Sequence, residues 1–114
     1  MAKMAENNAI EEEVTEIRRL ASDPALVRTT TTVEFDLLGY HLTKSDICDE
    51  IVAWIDAGKR VKLVILDAIP GMIGQRSFVL NPRIDDRLFY IKVTFQQSRG
   101  TGQLLLVLSS HPKR

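Results

Sequence analysis

Polar side chains that could act on one substrate fall on segments predicted to be β-strands. They are Lys62, Gln75, Tyr90, Lys92 and His111. Imidazole titrates near neutrality, so His111 could be a general acid or a general base. Lysine and glutamine can donate to the non-bridging oxygens of a phosphate, and tyrosine can donate to a phosphate or stack on a nucleobase. These types suit metal-free cleavage of an RNA phosphodiester, although each residue alone is also typical of a solvated strand face.

Such a cleavage has three chemical requirements. A base takes the proton of the attacking 2′-hydroxyl, cations and donors hold the charge on the phosphorane oxygens, and an acid protonates the leaving 5′-oxygen. The sequence leaves open which of Lys62, Lys92 and His111 is the base and which is the acid.

Other chemistries lack their signatures in this sequence. No phosphate-binding loop, dinucleotide fingerprint, zincin helix or nucleophile elbow is present. The chain has two histidines and one cysteine, with no cluster at metal-ligand spacing, so we expect neither a metal nor a cofactor. A lone cysteine excludes a disulfide framework within the chain, and Cys48 is predicted to be an unreactive thiol on a helix.

The net charge of zero conceals two halves of opposite sign. Residues 1–58 carry 5 basic and 12 acidic side chains, a balance of −7, whereas residues 59–114 carry 10 basic and 3 acidic ones, a balance of +7. This asymmetry is typical of a chain whose basic half binds a polyanion. The alternative is that the two halves attract each other within one fold.

The stretch that must position Tyr90 and His111 runs from residue 87 to residue 111. Its first part alternates apolar and polar side chains, so one face of the predicted strand is polar. Glycines within Ser98–Gly102 supply the positive φ angles of a tight connection. The run Leu104–Leu108 is apolar on both faces, which predicts a central strand that ends at His111.

Two stretches have the apolar periodicity of helices. The first begins at Ile10 and ends at Ser22–Pro24, with glutamates in its first turns and arginines in its last, as the helix dipole favours. The second begins after Thr43, a good N-cap, and ends at Gly58, with an apolar stripe along one face.

The remaining segments are predicted as strands, and residues 1–9 are predicted to be frayed. The strands are the polar edge segment Val27–Phe35, then Lys59–Ile69 and Gly74–Leu80. Helices followed by a run of strands indicate an α+β fold. We expect a single domain over residues 1–114, with two N-terminal helices packed on an antiparallel sheet of three to four strands.

Short motifs along most of the chain follow the order and spacing of a known family. They are Ile17-Arg18-Arg19-Leu20, Val27-Arg28-Thr29-Thr30, Leu38-Gly39, Cys48 with Ile51, Lys62, Gln75, Pro82-Arg83, Tyr90-Ile91-Lys92, and Leu104–Leu108 followed by Ser109, Ser110 and His111. From about Val14 to His111 the chain resembles the MqsR-type toxins of bacterial toxin–antitoxin pairs, which are relatives in fold of the RelE ribonucleases.

The resemblance implies a RelE-like fold and a ribosome-independent, sequence-selective endoribonuclease that cleaves mRNA without a metal. It also implies a cognate antitoxin that silences the enzyme. Lys62, Gln75 and Tyr90 fall on active-site positions of the family, and His111 falls where the family often has lysine. The last hairpin is longer than in the family by Ser98–Gly102, so cleavage specificity does not transfer simply.

On this hypothesis RNA lies across the sheet, held by Arg76, Arg83 and Lys92. His111 is the expected general acid, and Lys62 or a neighbour that faces the 2′-hydroxyl helps as the base. Gln75 and Tyr90 orient the phosphate. The expected products are a 2′,3′-cyclic (or 3′-) phosphate and a 5′-hydroxyl. The cleavage sequence, the antitoxin's identity and the formation of a homodimer are left open.

Two other functions compete with this prediction. A non-enzymatic binding module, or an inactive toxin relative, would use an open strand edge to pair with a partner chain. A DNA-binding regulator is the weaker alternative, because the second helix carries Asp46, Asp49 and Glu50, which would repel phosphate. No apolar run approaches the ~20 residues of a membrane span, and the first ten residues lack the apolar core of a signal peptide. We therefore expect a cytoplasmic protein.

Overall fold

The computed structural model describes residues 7–100 and 102–113. These ranges contain three α-helices, one short 3-10 turn and six β-strands. The helices are α1 (Glu11–Ala21), α2 (Thr31–Gly39) and α3 (Lys44–Asp56), and the 3-10 turn is Pro24–Leu26. The strands are β1 (Val27–Thr29), β2 (Lys62–Ile65), β3 (Arg76–Leu80), β4 (Arg83–Ile84), β5 (Arg87–Ser98) and β6 (Gly102–Pro112).

The strands form a mixed, mostly antiparallel sheet. Its order is β1-β6-β5-β3-β2, and β4 pairs with β5 outside this path. Only β1 and β6 run parallel among the pairs in the described ranges. The long hairpin of β5 and β6 occupies the middle, which confirms the predicted hairpin and the interior position of Leu104–Leu108. The α+β class is likewise confirmed.

One face of the sheet is covered by the helices. The main core joins Ile17, Leu20 and Ile51 of the helices to Phe78 and Ile91 of the strands, and all five are fully buried. Burial of side chains of this size supplies most of the free energy that holds such a fold together. We call this the helical side of the sheet and the opposite side the outer face.

The outer face carries the predicted site. Alternation along the strands places six side chains there: Lys62 of β2, Val79 of β3, Tyr90 and Lys92 of β5, and Ser109 and His111 of β6. The face is not polar throughout, because Val79, Leu104 and Leu106 are buried outside the main core.

Helices α1 and α3 match their predictions; α3 begins at a capping box, and α1 begins at the carboxylate half of one. The Thr43 hydroxyl accepts from the Asp46 amide at 3.1 Å, and the Asp46 carboxylate accepts from the Thr43 amide at 2.8 Å. At α1 the Glu13 carboxylate accepts from the Ile10 amide at 2.9 Å. These bonds satisfy amides that have no partner within the helix, and they fix where each helix starts.

The prediction of a strand over Val27–Phe35 was wrong beyond Thr29. Helix α2 begins there instead, because the Thr30 hydroxyl caps it by accepting from the Val33 amide at 3.1 Å. Val33 and Leu37 then lie one helical turn apart and are buried in the core. Threonine-rich sequence favours strands locally, but packing of these two apolar side chains outweighs that preference. The described residues therefore hold three helices rather than two.

The predicted strand count and the frayed N-terminus also need correction. Among the described residues the sheet has six strands instead of three to four, and two of them, β1 and β4, are only three and two residues long. Residues 1–6 lie outside the described ranges. Residues 7–9 pair with the edge of β2: Asn8 bridges Lys62, the Ala9 amide donates to the Val61 carbonyl at 2.9 Å, and the Leu63 amide donates to Asn7 at 2.7 Å.

Candidate functional site

Tyr90 and His111 form the centre of the candidate site. They are direct cross-strand partners on β5 and β6, and their rings stack with centroids 5.7 Å apart and planes 21° from parallel. The Lys92 ammonium lies 5.9 Å from the Tyr90 ring centroid, and Ser109 lies opposite Lys92. All four side chains are half-buried. The structure thus brings together an imidazole, a phenol and an ammonium, as the sequence predicted.

A β-bulge decides that His111 belongs to this face. Lys92 pairs with Ser109 but its neighbour Val93 pairs with Val107, so β6 has one residue more than β5 at this point. The extra residue is Leu108. Without the bulge, alternation would turn His111 to the helical side, because an inserted residue exchanges the two faces of everything beyond it.

The bulge also leaves a buried hydroxyl. Ser110 points to the helical side, is fully buried, and its Oγ has no hydrogen-bond partner among the described residues. An unsatisfied buried hydroxyl costs about 1–3 kcal/mol. The molecule therefore carries a local energetic cost at the residue next to His111.

Lys62 lies on the same transverse row of the sheet as Lys92. Lys62 pairs with Val79, and Val79 pairs with Lys92, so two strand spacings, about 10 Å, separate the two backbones. Neither lysine forms an ion pair within the described ranges. A phosphodiester lying across β3 could therefore meet an ammonium from each side.

Gln75 has a different environment from the one predicted. Its side-chain amide donates to the Thr94 hydroxyl and to the Phe95 carbonyl, both at 2.8 Å, and that hydroxyl donates to the Arg76 carbonyl at 2.8 Å. Both of its N–H donors are thus used to tie β3 to β5, two residues along β5 from Lys92. Gln75 lies beside the site and holds its strands, while its donors are not free for a phosphate.

Arg76 and Arg83 are not brought to the site. Arg76 turns to the helical side, where it forms a bidentate ion pair with Glu13 of α1 at 2.6 and 2.9 Å. The hydrogen bonds from Arg76 lower the pKa of the Glu13 carboxyl. Arg83 donates to the Asp86 carbonyl at 3.3 Å and lines a hollow with Trp54 of α3, also on the helical side. We therefore assign neither arginine to the candidate site.

Only one ion pair among the described residues joins the acidic half of the chain to the basic half. The pair of Glu13 and Arg76 joins the acidic half to the basic half, whereas Arg18 with Asp56 and Arg19 with Glu16 stay within the acidic half. Attraction between the halves thus accounts for one of the three ion pairs among the described residues, and the lysines of the outer face are left without a counter-charge.

A second hollow of about 350 Å³ lies on the helical side and has a less suitable charge. Arg87 stacks on Tyr40 at 5.2 Å, and Asp85 and Phe89 complete part of its wall. Among the described residues its lining holds one carboxylate, Asp85, beside the Arg87 guanidinium, so the hollow offers no excess of positive charge to a phosphate.

The remaining predicted features were an inert thiol and an open strand edge. Cys48 is buried, and burial raises the pKa of its thiol to about 11, so it is protonated at neutral pH. At the β1 edge, the Val27 amide donates to the Pro24 carbonyl, and the Val27 carbonyl accepts from the Lys44 ammonium at 3.0 Å. Residues 7–9 pair with Val61–Leu63 and so cover the first half of the β2 edge. The outer strands thus offer little unpaired backbone for strand addition.

The described residues contain neither a metal-binding cluster nor a membrane-spanning helix. Among the described residues, no group of three or more His, Cys, Asp or Glu side chains is placed to hold a metal ion. The helices in those ranges are all too short or too polar to cross a lipid bilayer.

Comparison of the chain with protein-family models, with curated proteins and with solved structures yields no match. The sequence motifs and the geometry of the outer face therefore carry the functional interpretation.

Proposed function

We propose that the chain is a toxin of the MqsR type with a RelE-like fold, a metal-independent endoribonuclease that cleaves mRNA without the ribosome. The observation that carries the proposal is the stacked pair of Tyr90 and His111, with Lys92 beside it and Lys62 on the same row of the outer face. These side chains supply an acid or base, a stacking platform and two lysines that form no ion pair among the described residues, which together suit a single-stranded polyanion.

In the proposed reaction, RNA lies across the outer face with the scissile phosphate between Lys62 and Lys92. The 2′-hydroxyl attacks the phosphorus as its proton passes to a base, for which Lys62 or a neighbour that faces the 2′-hydroxyl is a candidate. The P–O5′ bond breaks as the His111 imidazolium gives its proton to the leaving oxygen. The products are a 2′,3′-cyclic phosphate and a 5′-hydroxyl. Tyr90 orients His111 by stacking, and Lys92 neutralises the developing charge.

Gln75 has a positioning role in this proposal. Its two hydrogen bonds hold β5 against β3 next to Lys92, so they fix the distance between the two lysines. The cell compartment would be the cytoplasm, where mRNA is the substrate, and an antitoxin would silence the enzyme. A strand-adding binding module is less well supported, because the sheet edges are largely covered.

The test is cleavage of a labelled RNA by the purified chain in the presence of a metal chelator. We expect recurring cuts that leave cyclic phosphate ends, and growth arrest when the chain is expressed. His111→Ala should reduce the cleavage rate by about 10²–10⁴-fold, the usual contribution of a general acid. His111→Lys should retain part of the activity, because an ammonium can also donate the proton.

Gln96→Ala is the matched control, because Gln96 lies on the outer face of β5 at the far end of the hairpin, opposite Leu104. It should cleave like the wild type. A folded wild type that neither cuts RNA nor arrests growth would remove the enzyme proposal and leave a binding module. Equal cleavage by wild type and His111→Ala would keep the nuclease but reject the site.

A further inference from the structure

Helix α2 exposes two large apolar side chains on one side. Phe35 and Leu38 are each 71% exposed, and their three-residue spacing makes them neighbours on the helix surface. The opposite side of α2 buries Val33 and Leu37 in the core. Contiguous apolar side chains left in water usually mark a contact with another molecule.

A hollow next to this pair could receive a side chain. It has a volume of about 360 Å³. Its apolar walls are Leu37, Leu38 and Leu42, and its polar walls are Thr29, Glu34 and Lys44. We call Phe35, Leu38 and this hollow the α2 surface. It offers both a protruding aromatic ring and an apolar recess, as interfaces with a central anchor do.

The charge around the α2 surface is negative. Glu34 and Asp36 flank Phe35 along the helix, and neither forms an ion pair among the described residues. Glu34 accepts only a neutral hydrogen bond, from the Thr29 hydroxyl at 3.0 Å. The one cation of the hollow, Lys44, donates to the Val27 carbonyl at 3.0 Å. A partner that fits this rim is basic.

Other occupants suit the surface less well. RNA would be repelled by Glu34 and Asp36. A second copy docking through the same surface would bring two negatively charged rims together, because the same patch lies on both sides of a two-fold interface. An added strand finds the β1 edge next to α2 already bonded at Val27. Apolar side chains at helical spacing are instead typical of a surface that pairs with a helix.

We propose that the α2 surface docks an amphipathic helix of a partner protein, with apolar side chains at three- and four-residue spacing flanked by lysine or arginine. One apolar side chain of that helix fills the hollow beside Leu42, and its cations face Glu34 and Asp36. The α2 surface lies on the helical side of the sheet, so a helix bound there leaves Tyr90 and His111 uncovered. The docking surface is therefore separate from the proposed nuclease site and does not depend on RNA cleavage.

The test uses the full chain, labelled with ¹⁵N, and a synthetic helix of about 16 residues with leucines on one face and lysines on the other. In a titration followed by NMR, we expect shifts confined to α2 and residues 42–44. Phe35→Ser should weaken binding about tenfold or more, as removal of an anchor does. Because Phe35 is mostly exposed, this variant should keep the fold, which the dispersion of its spectrum verifies.

Two controls distinguish the proposed docking from non-specific electrostatic or hydrophobic binding. Ile73→Ser removes another exposed apolar side chain, 65% exposed in the loop between β2 and β3, and should not change binding. A peptide with glutamates in place of the lysines should not bind. Absence of binding by the lysine peptide, equal binding by the glutamate peptide, or shifts centred on α3 or the outer face would each overturn the proposal. If the wild-type chain does not cleave RNA, the proposed function is wrong, but the docking proposal is unaffected.

Discussion

The two sides of the sheet differ in where ion pairs form, because all three among the described residues lie on the helical side. On the helical side, Arg18, Arg19 and Arg76 are each bound to a carboxylate at 2.6–2.7 Å. On the outer face, Lys62 and Lys92 have no such partner within the described ranges, and Lys92 lies over an aromatic ring instead. A chain with no net charge can therefore present two lysines without a paired carboxylate on one face, because the carboxylates of its described ion pairs lie on the other side. The location of a cation, more than the total charge, indicates where a polyanion would bind.

The largest expected effect comes from replacing one cation on each side of the sheet with alanine. We expect Lys92→Ala to reduce RNA cleavage about 10²-fold, because it removes a group that would stabilise the developing charge on the phosphate. Arg76→Ala should leave cleavage almost unchanged, since Arg76 is paired with Glu13 on the helical side. Initial rates over a range of salt concentrations measure both effects. A strong loss of cleavage in Arg76→Ala, with the fold intact, would contradict the separation of the two sides.

A smaller effect is expected for Gln75→Leu, in stability as well as activity. The substitution removes two hydrogen bonds between β3 and β5 and leaves the Phe95 carbonyl without this donor. We expect a loss of about 1–3 kcal/mol in the free energy of unfolding, measured by chemical denaturation. If stability is unchanged while cleavage is abolished, Gln75 contacts substrate directly and its positioning role is wrong.

Ser110→Ala tests the bulge from the helical side. The Ser110 hydroxyl is buried and has no partner within the described ranges, so its removal should raise the free energy of unfolding by about 1 kcal/mol. Cleavage should persist, because His111 keeps its place opposite Tyr90. Thermal and chemical unfolding of the two proteins measure the gain. A loss of stability would mean that the hydroxyl has a bonded partner in solution.

The smallest effect concerns the ion pair of Glu13 and Arg76. The pKa of Glu13 is lowered from the ordinary value of 4.5, so the folded state favours the charged carboxylate. This stabilisation is present above the unfolded pKa and is lost as the pH falls below 4.5 through the folded pKa. Because Arg76 is exposed, we expect only about 0.5 kcal/mol at neutral pH. A double-mutant cycle with Glu13→Gln and Arg76→Gln should show a coupling that vanishes in acid, whereas a coupling independent of pH would exclude a charge effect.

Regular patterns in the sequence predicted the elements that depend on local spacing. Helices α1 and α3 were found because caps and apolar periodicity agree, and the β5–β6 hairpin because apolar and polar residues alternate on either side of a glycine turn. Helix α2 was missed because Thr29–Thr32 favours a strand locally, and its helical state depends on burial of Val33 and Leu37. Strands as short as β1 and β4 contain too few residues to show a period.

The candidate site could be predicted from the sequence only where it depends on regular alternation along a strand. Alternation alone places Tyr90 and Lys92 on one face, and the same rule would have put Arg76 with Phe78 on the other. The position of His111 depends on the bulge at Leu108, which an uninterrupted apolar run conceals. Ser109 was not predicted as a site residue. Ser109 and His111 are two residues apart, so alternation places them on the same face, and this spacing was the available signal for Ser109.

The order of the strands has a consequence for synthesis. Strand β6 follows every other element along the chain, yet it lies between β1 and β5 and carries His111. Val27 cannot find its partner Leu105 until that strand has been made, so most of the polypeptide must leave the ribosome before the sheet can close. A nascent or prematurely terminated chain that lacks β6 would have neither the central strand nor the imidazole.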